Sequence, residues 1–250
     1  MLNALLLTVL AGLSTALGGL IIFFVRKKKD DFLNIALGFS AGVMIFVSFT
    51  ELLNESINVI GFLYAILAFF LGMFIIYLID VFIPHSYEEE CACNPNLKKK
   101  CDLKRCSIMV TIGIAIHNFP EGIAVFFSAL LDIRLGIAIA IAIALHNIPE
   151  GIAVAMPMYY STNSRLKAFF YSLIAGISEP VGAIVAYLFL FNFINNFILH
   201  IIVGAVAGIM IYISFDELLP QVYKGHESNH KIILGIFAGM AVMALSLYLL

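Results

Sequence analysis

Charge is what this sequence has least of. Only 12% of its 250 residues are Asp, Glu, Lys or Arg, and 62% are hydrophobic. An average soluble domain would carry roughly 25% charged residues. Mean hydropathy is +1.05. These values exclude a soluble domain and leave an integral membrane protein. A net charge of −2 with no basic domain gives nucleic acid nothing to bind. No basic stretch precedes the first apolar run. Its positive cluster, Arg26-Lys27-Lys28-Lys29, comes after it, so the run reads as a span and not as a cleavable leader. Cysteine is missing from every apolar run, which disfavours a soft Cu⁺ site within them.

Eight apolar segments reach the roughly 20 residues that cross a bilayer as a helix. They lie near 3–25, 32–53, 61–83, 108–131, 135–157, 168–191, 198–220 and 232–250. Of the fourteen Lys and Arg, all but Arg134 follow spans 1, 3, 5 and 7. Positive charge collects on the cytoplasmic side, so both termini are expected to be extracytoplasmic. The expected architecture is an all-α, multi-pass domain over residues 1–250 in the cell (inner) membrane, with lipid as its surroundings. A cytoplasmic Cys- and Lys-rich loop is expected over 84–107.

Two internal repeats stand out. Residues 114–125 match 143–154 at all but two positions, and each copy holds His-Asn-x-Pro-Glu-Gly. Residues 42–53 align with 208–219, sharing Gly, Met, Ile, Ser-Phe and Glu-Leu-Leu. Under the expected topology both repeats are inverted, span 4 against span 5 and spans 1–3 against 6–8. Inverted repeats are characteristic of alternating-access transporters, with a substrate site near the midplane.

The repeated motif carries the chemistry. Residues four apart on a helix are separated by roughly 40° around its axis, and residues three apart by roughly 60° the other way. His117, Asn118 and Glu121 therefore share one face of span 4, and His146, Asn147 and Glu150 share one face of span 5. Polar and ionisable groups at bilayer depth are costly unless they face a cavity, a partner or an ion. Imidazole, amide oxygen and carboxylate suit a borderline divalent ion such as Zn²⁺, Fe²⁺ or Mn²⁺. Glu179 adds a third central carboxylate in span 6. Pro120, Pro149 and Pro180 deprive the carbonyls of Ile116, Leu145 and Gly176 of a helical donor, and such carbonyls can supplement the ligands. Toward the span ends, Glu51, Asp216 and Glu217 read either as cation-collecting groups at two mouths or as helix-end polar groups. Asp80 and Pro84 read as a helix end.

The paired His-Asn-x-Pro-Glu-Gly units, with Glu179 in the next span, Ala-Gly-x-Met at 41–44 and Asp-Glu-Leu-x-Pro at 216–220, resemble the ZIP (Zrt-, Irt-like) family of divalent-metal transporters. The resemblance covers essentially the whole chain and is closest to bacterial members. It implies a binuclear centre midway across the membrane. His117, Glu121, His146 and Glu150 would hold one metal ion. Asn118, Asn147 and Glu179 would hold a second, with Glu121 and Glu150 bridging. Met44 corresponds to a methionine that touches the first site in some members. Where this chain has His146-Asn147, some members have Gln-Asp. The family also implies transport of Zn²⁺ foremost, with Fe²⁺, Mn²⁺ and Cd²⁺ as further cargo. Its motion is elevator-like, spans 1, 4, 5 and 6 moving against 2, 3, 7 and 8, and its members frequently form homodimers.

All four cysteines, Cys91, Cys93, Cys101 and Cys106, fall in the expected cytoplasmic loop. A reducing compartment predicts no disulfide. Four thiols in so short a stretch read either as a loop metal site or as plain free thiols. Two other classes compete with transport. An intramembrane metalloprotease would want His-Glu-x-x-His, and neither motif copy supplies it. A metal-sensing receptor would use the cysteine loop. The reading is therefore a carrier and not an enzyme.

Overall fold

The computed structural model describes residues 1–25, 30–82, 95–131, 133–190, 195–223 and 230–249. Among them, eight helices are long and apolar enough to cross a membrane. They are α1 (Leu2–Phe24), α2 (Asp31–Ile60), α3 (Phe62–Val81), α4 (Cys101–Phe127), α5 (Ile139–Thr162), α6 (Arg165–Phe189), α7 (Asn196–Leu218) and α8 (His230–Tyr248). Number and order agree with the sequence reading. Large apolar side chains such as Leu63, Leu67, Phe70 and Phe74 on α3, and Leu234 and Phe237 on α8, are more than half exposed. Such a surface suits lipid and not water.

Several helix ends differ from expectation. The helix containing α2 runs on to Ile60, seven residues past the expected end. The extension Leu53–Ile60 is amphipathic, burying Leu53, Ser56 and Ile60 while Asn54 and Glu55 stay exposed. Its polar residues had looked like a terminus. The helix containing α4 begins at Pro95, so 95–107 is helical where a loop was expected. Leu103 and Cys106 there are buried, so packing overrides the polar composition of the stretch. The helix containing α5 continues through Pro157 to Thr162.

The turns that end these helices have local causes. Gly61 closes α2 at φ +83°, a conformation that side chains rarely adopt, and its N–H donates to Ile57 O at 2.9 Å. Asn163, at φ 60°, turns the chain after α5. Ser164 then caps α6, its Oγ accepting from Lys167 N, and Asn195 caps α7 by accepting from Ile198 N.

Glycines set which helices pack tightly. Helices α1, α4, α5 and α6 form one bundle, while α2 pairs with α8 and α3 with α7. Within the bundle, a Cβ on Gly122 would stand 2.0 Å from Glu179 O, and one on Gly182 would stand 2.1 Å from Phe119 O. A Cβ on Gly12 would stand 2.3 Å from Gly176 O, and one on Gly151 would stand 1.9 Å from Thr15 O. Gly42 and Gly239 make the same approach between α2 and α8, as do Gly72 and Gly208 between α3 and α7. No side chain fits at these contacts, so backbones touch, as they do where membrane helices pack through small residues.

The second sequence repeat has a structural counterpart. Ser48–Leu52 in α2 and Ile213–Leu218 in α7 are both π-helical turns. Within each, a serine bonds back to a methionine carbonyl, Ser48 Oγ to Met44 O at 2.6 Å and Ser214 Oγ to Met210 O at 2.8 Å. A π turn widens the helix and re-aims the side chains around it. Here the re-aimed residues include Glu51 and Glu217.

Candidate metal centre

The two motif helices meet inside the four-helix bundle. His117, Asn118, Glu121, His146, Asn147, Glu150 and Glu179 are all at most 7% exposed. Pro120, Pro149 and Pro180 all lie within continuous helix. The carbonyl that Pro180 leaves without a donor, Gly176 O, is the one packed on Gly12.

Four side chains converge. His117 Nε2 lies 3.1 Å from Glu121 Oε1 and 3.4 Å from Glu150 Oε1. His146 Nε2 lies 2.8 Å from the same Glu121 oxygen. The two imidazole centroids are 6.2 Å apart. Donor atoms of His117, Glu121 and His146 all lie within 4.8 Å of one another. Around a tetrahedral Zn²⁺ with bonds of about 2.0–2.1 Å, ligand atoms stand about 3.3–3.4 Å apart. The observed spacings come close to that geometry without a backbone shift.

Beside this set, Asn147 Nδ2 donates to Glu179 Oε1 at 2.5 Å and to Ala11 O at 3.3 Å. Asn118 Nδ2 donates to Thr15 Oγ1 at 3.4 Å and to Ala175 O at 3.3 Å. Both amides thus turn their N–H groups into the surrounding helices and keep their oxygens uncommitted. Glu121 Oε2, both carboxylate oxygens of Glu150, Glu179 Oε2, Asn118 Oδ1 and Asn147 Oδ1 are buried with no hydrogen-bond donor. A buried acceptor left without a partner costs about 1–3 kcal/mol, more when charged. Six such oxygens in one bundle are an arrangement that a cation would satisfy.

The remaining candidates separate. Met44 is buried in the largest apolar core. Glu51 lines a cavity of about 500 Å³ that also reaches Glu121 and His146. Asp216 and Glu217 lie at the other end of α7, their carboxylates close to Asp80. Arg105 on α4 is ion-paired with Asp80, and its Nη1 is 3.7 Å from Glu217 Oε1. Tyr212 OH donates to the second Asp80 oxygen at 3.3 Å. Asp80, read from sequence as a helix end, is a buried member of an ionic cluster joining α3, α4 and α7.

Cys91 and Cys93 lie outside the described residues. Cys101 is disulfide-bonded, contrary to the expectation of reduced thiols. Cys106 is on the α4 helix, wholly buried, with its Sγ 3.5 Å from Glu217 O. Helix packing places Cys106 against α7. Sequence reasoning missed Thr15, Glu55, Arg105 and His200. Thr15 and His200 carry one usable signal, a polar side chain inside an apolar run.

This fold and this centre define an integral membrane protein with a candidate divalent-metal site buried among its helices. Comparison with known sequences takes the assignment further. The profile of the family described as "ZIP Zinc transporter" matches residues 96–247. Curated relatives named "Zinc transporter ZupT" match nearly end to end. The relative from Nitratidesulfovibrio vulgaris is 47% identical over 97% of this chain and 95% of its own. That from Clostridium perfringens is 47% identical over 99% and 96%, and that from Chlorobium phaeovibrioides is 48% identical over 99% and 97%. The chain belongs to the ZIP zinc transporter family.

Proposed function

We propose that the protein carries divalent transition-metal ions across the cell membrane into the cytoplasm, Zn²⁺ foremost, with Fe²⁺, Mn²⁺ and Cd²⁺ as further cargo. One observation carries the reading: two neutral-capable imidazoles and two carboxylates converge at ligand spacing beside buried oxygens that lack donors. The relatives' names support Zn²⁺ as cargo.

His117, Glu121, His146 and Glu150 hold the first ion. Asn118, Asn147 and Glu179 provide a neighbouring position, with Glu121 and Glu150 between the two and Met44 flanking. When ionised, Glu121, Glu150 and Glu179 carry −3. One divalent ion brings the centre to −1 and a second brings it to +1. A first ion therefore leaves an attractive field for another. Ligand binding needs unprotonated imidazole and ionised carboxylate, so binding displaces any protons held there.

The face with Arg105, Arg165, Lys167 and Lys231 is cytoplasmic. The cavity lined by Glu51 opens the centre toward the opposite, outer face. On the cytoplasmic side, Arg105, Asp80 and Glu217 tie α4 to α3 and α7. Transport exchanges these two conditions. The tight glycine contacts support movement of α1, α4, α5 and α6 as one body against α2, α3, α7 and α8.

The test is metal uptake by proteoliposomes. Wild-type protein takes up Zn²⁺. Glu121→Ala and Glu150→Ala, inserted at normal levels, lose uptake by at least about a hundredfold, because each removes a charged ligand. Near-normal uptake in either variant would remove the central cluster from the transport path.

A further inference from the structure

The cavity beside the centre holds more ligand-type groups than the central cluster accounts for. Glu51, Glu55 and His200 line it together with Glu121 and His146. Its two ends differ in depth: the Glu55 side chain is 59% exposed, whereas Glu121 is buried. At the outer end, Glu55 Oε1 and His200 Nε2 are 3.5 Å apart. His200 is fixed there by its ring, whose Nδ1 bonds Asn196 O at 2.7 Å, and by its carbonyl, which accepts Ser56 Oγ at 2.8 Å.

Glu51 stands between these ends. It precedes Glu55 by four residues on α2, which stacks the two carboxylates one turn apart on the same face, Glu51 the deeper. The π turn Ser48–Leu52 sets its direction. Its charged neighbours are His146, Glu121, Glu55 and His117, from both the bundle and its own helix. No Lys or Arg lines the cavity among the described residues. Glu51 Oε2 is buried and has no hydrogen-bond donor. With no Lys or Arg among the described residues lining the space around this carboxylate, a cation is the partner that its surroundings leave room for.

We propose that Glu51 is a metal ligand in its own right, an inlet site that receives a divalent cation past Glu55 and His200 and hands it to Glu121 and His146. The inference rests on the proposed transport through the centre and adds a step to it. The ligand atoms belong to different packing units. Glu51 is on α2, which pairs with α8, whereas Glu121 and His146 are on the four-helix bundle. The hand-over thus crosses the boundary along which the two units would move.

Cd²⁺ binding to the purified full chain, measured by equilibrium dialysis, tests it. Four proteins are compared: wild type, Glu51→Gln, the double variant His117→Ala/His146→Ala, and the triple variant combining both. The double variant loses the first-site ion. Of the Cd²⁺ it retains, one ion depends on Glu51 and binds about a hundredfold more weakly than the first-site ion of wild type, or about 2.7 kcal/mol. The triple variant binds one Cd²⁺ fewer than the double, and Glu51→Asp in place of Gln restores it. Equal Cd²⁺ stoichiometry and affinity in the triple and double variants overturns the inlet site. If the double variant binds as tightly as wild type, the central assignment fails instead, and the triple-against-double comparison still reads Glu51. In proteoliposomes, Glu51→Gln raises the half-saturating metal concentration about tenfold and changes the maximal rate by less than about threefold. A fallen maximal rate with unchanged half-saturation contradicts an inlet role.

Discussion

Glu51 and Glu217 occupy the same place in two copies of one sequence, and the molecule treats them in opposite ways. Both follow Ser-Phe-x, both sit in a π turn, and both turns carry a serine bonded to a methionine carbonyl. Glu51 faces a cavity that reaches the central histidine. Glu217 is buried, with Arg105, Asp80 and Asp216 around it. The two copies share the turn and its serine back-bond, while the neighbouring helix decides whether the carboxylate meets space or a tethered cation.

The comparison can be broken at several strengths. The largest effect is expected from Gly122→Val, because a Cβ there would stand 2.0 Å from Glu179 O and force α4 off α6 beneath the centre. Loss of more than about 4 kcal/mol is in the range of severe core overpacking and backbone clash. Size-exclusion chromatography in detergent should show little folded protein. Arg105→Ala strikes one half only. It removes the guanidinium beside Asp80 and Glu217, at a cost on the order of 2 kcal/mol. A fully buried pair would lose more, but the Arg105 side chain is 33% exposed. Thermal unfolding should register the loss, and a second substitution, Asp80→Ala, should add less than its own single effect. Asn147→Asp adds a negative charge beside Glu179 and should change the order in which Zn²⁺, Fe²⁺, Mn²⁺ and Cd²⁺ compete for uptake. An unchanged order would set that position outside the site. The smallest effects sharpen the likeness itself. Ser48→Ala and Ser214→Ala each remove one buried back-bond, and each should lower stability by about 1 kcal/mol or less, to a similar extent.

Much of this was legible in the sequence, for identifiable reasons. Eight spans could be read because lipid demands long apolar runs with internally bonded backbones. The central residues could be read because His117, Asn118 and Glu121 recur intact as His146, Asn147 and Glu150. Helix ends were harder. Lys98–Arg105 looks like a solvated loop until Leu103 and Cys106 are seen packed. Asp80 looks like a helix terminus until Arg105 arrives from another helix. His200 and Glu55 are far apart in the chain, and only the fold brings them to one cavity. The two π turns left a trace in the repeated Ser-Phe-x-Glu, but nothing in that string specifies a π turn.

The central claim is that the cation is held by imidazole and carboxylate within the four-helix bundle. X-ray absorption at the Zn edge of the Zn²⁺-loaded full chain tests it most directly. The account predicts nitrogen and oxygen neighbours at about 2.0–2.1 Å, with imidazole scattering that vanishes in His117→Ala/His146→Ala. A shell dominated by sulfur at about 2.3 Å, unchanged in that variant, would contradict it.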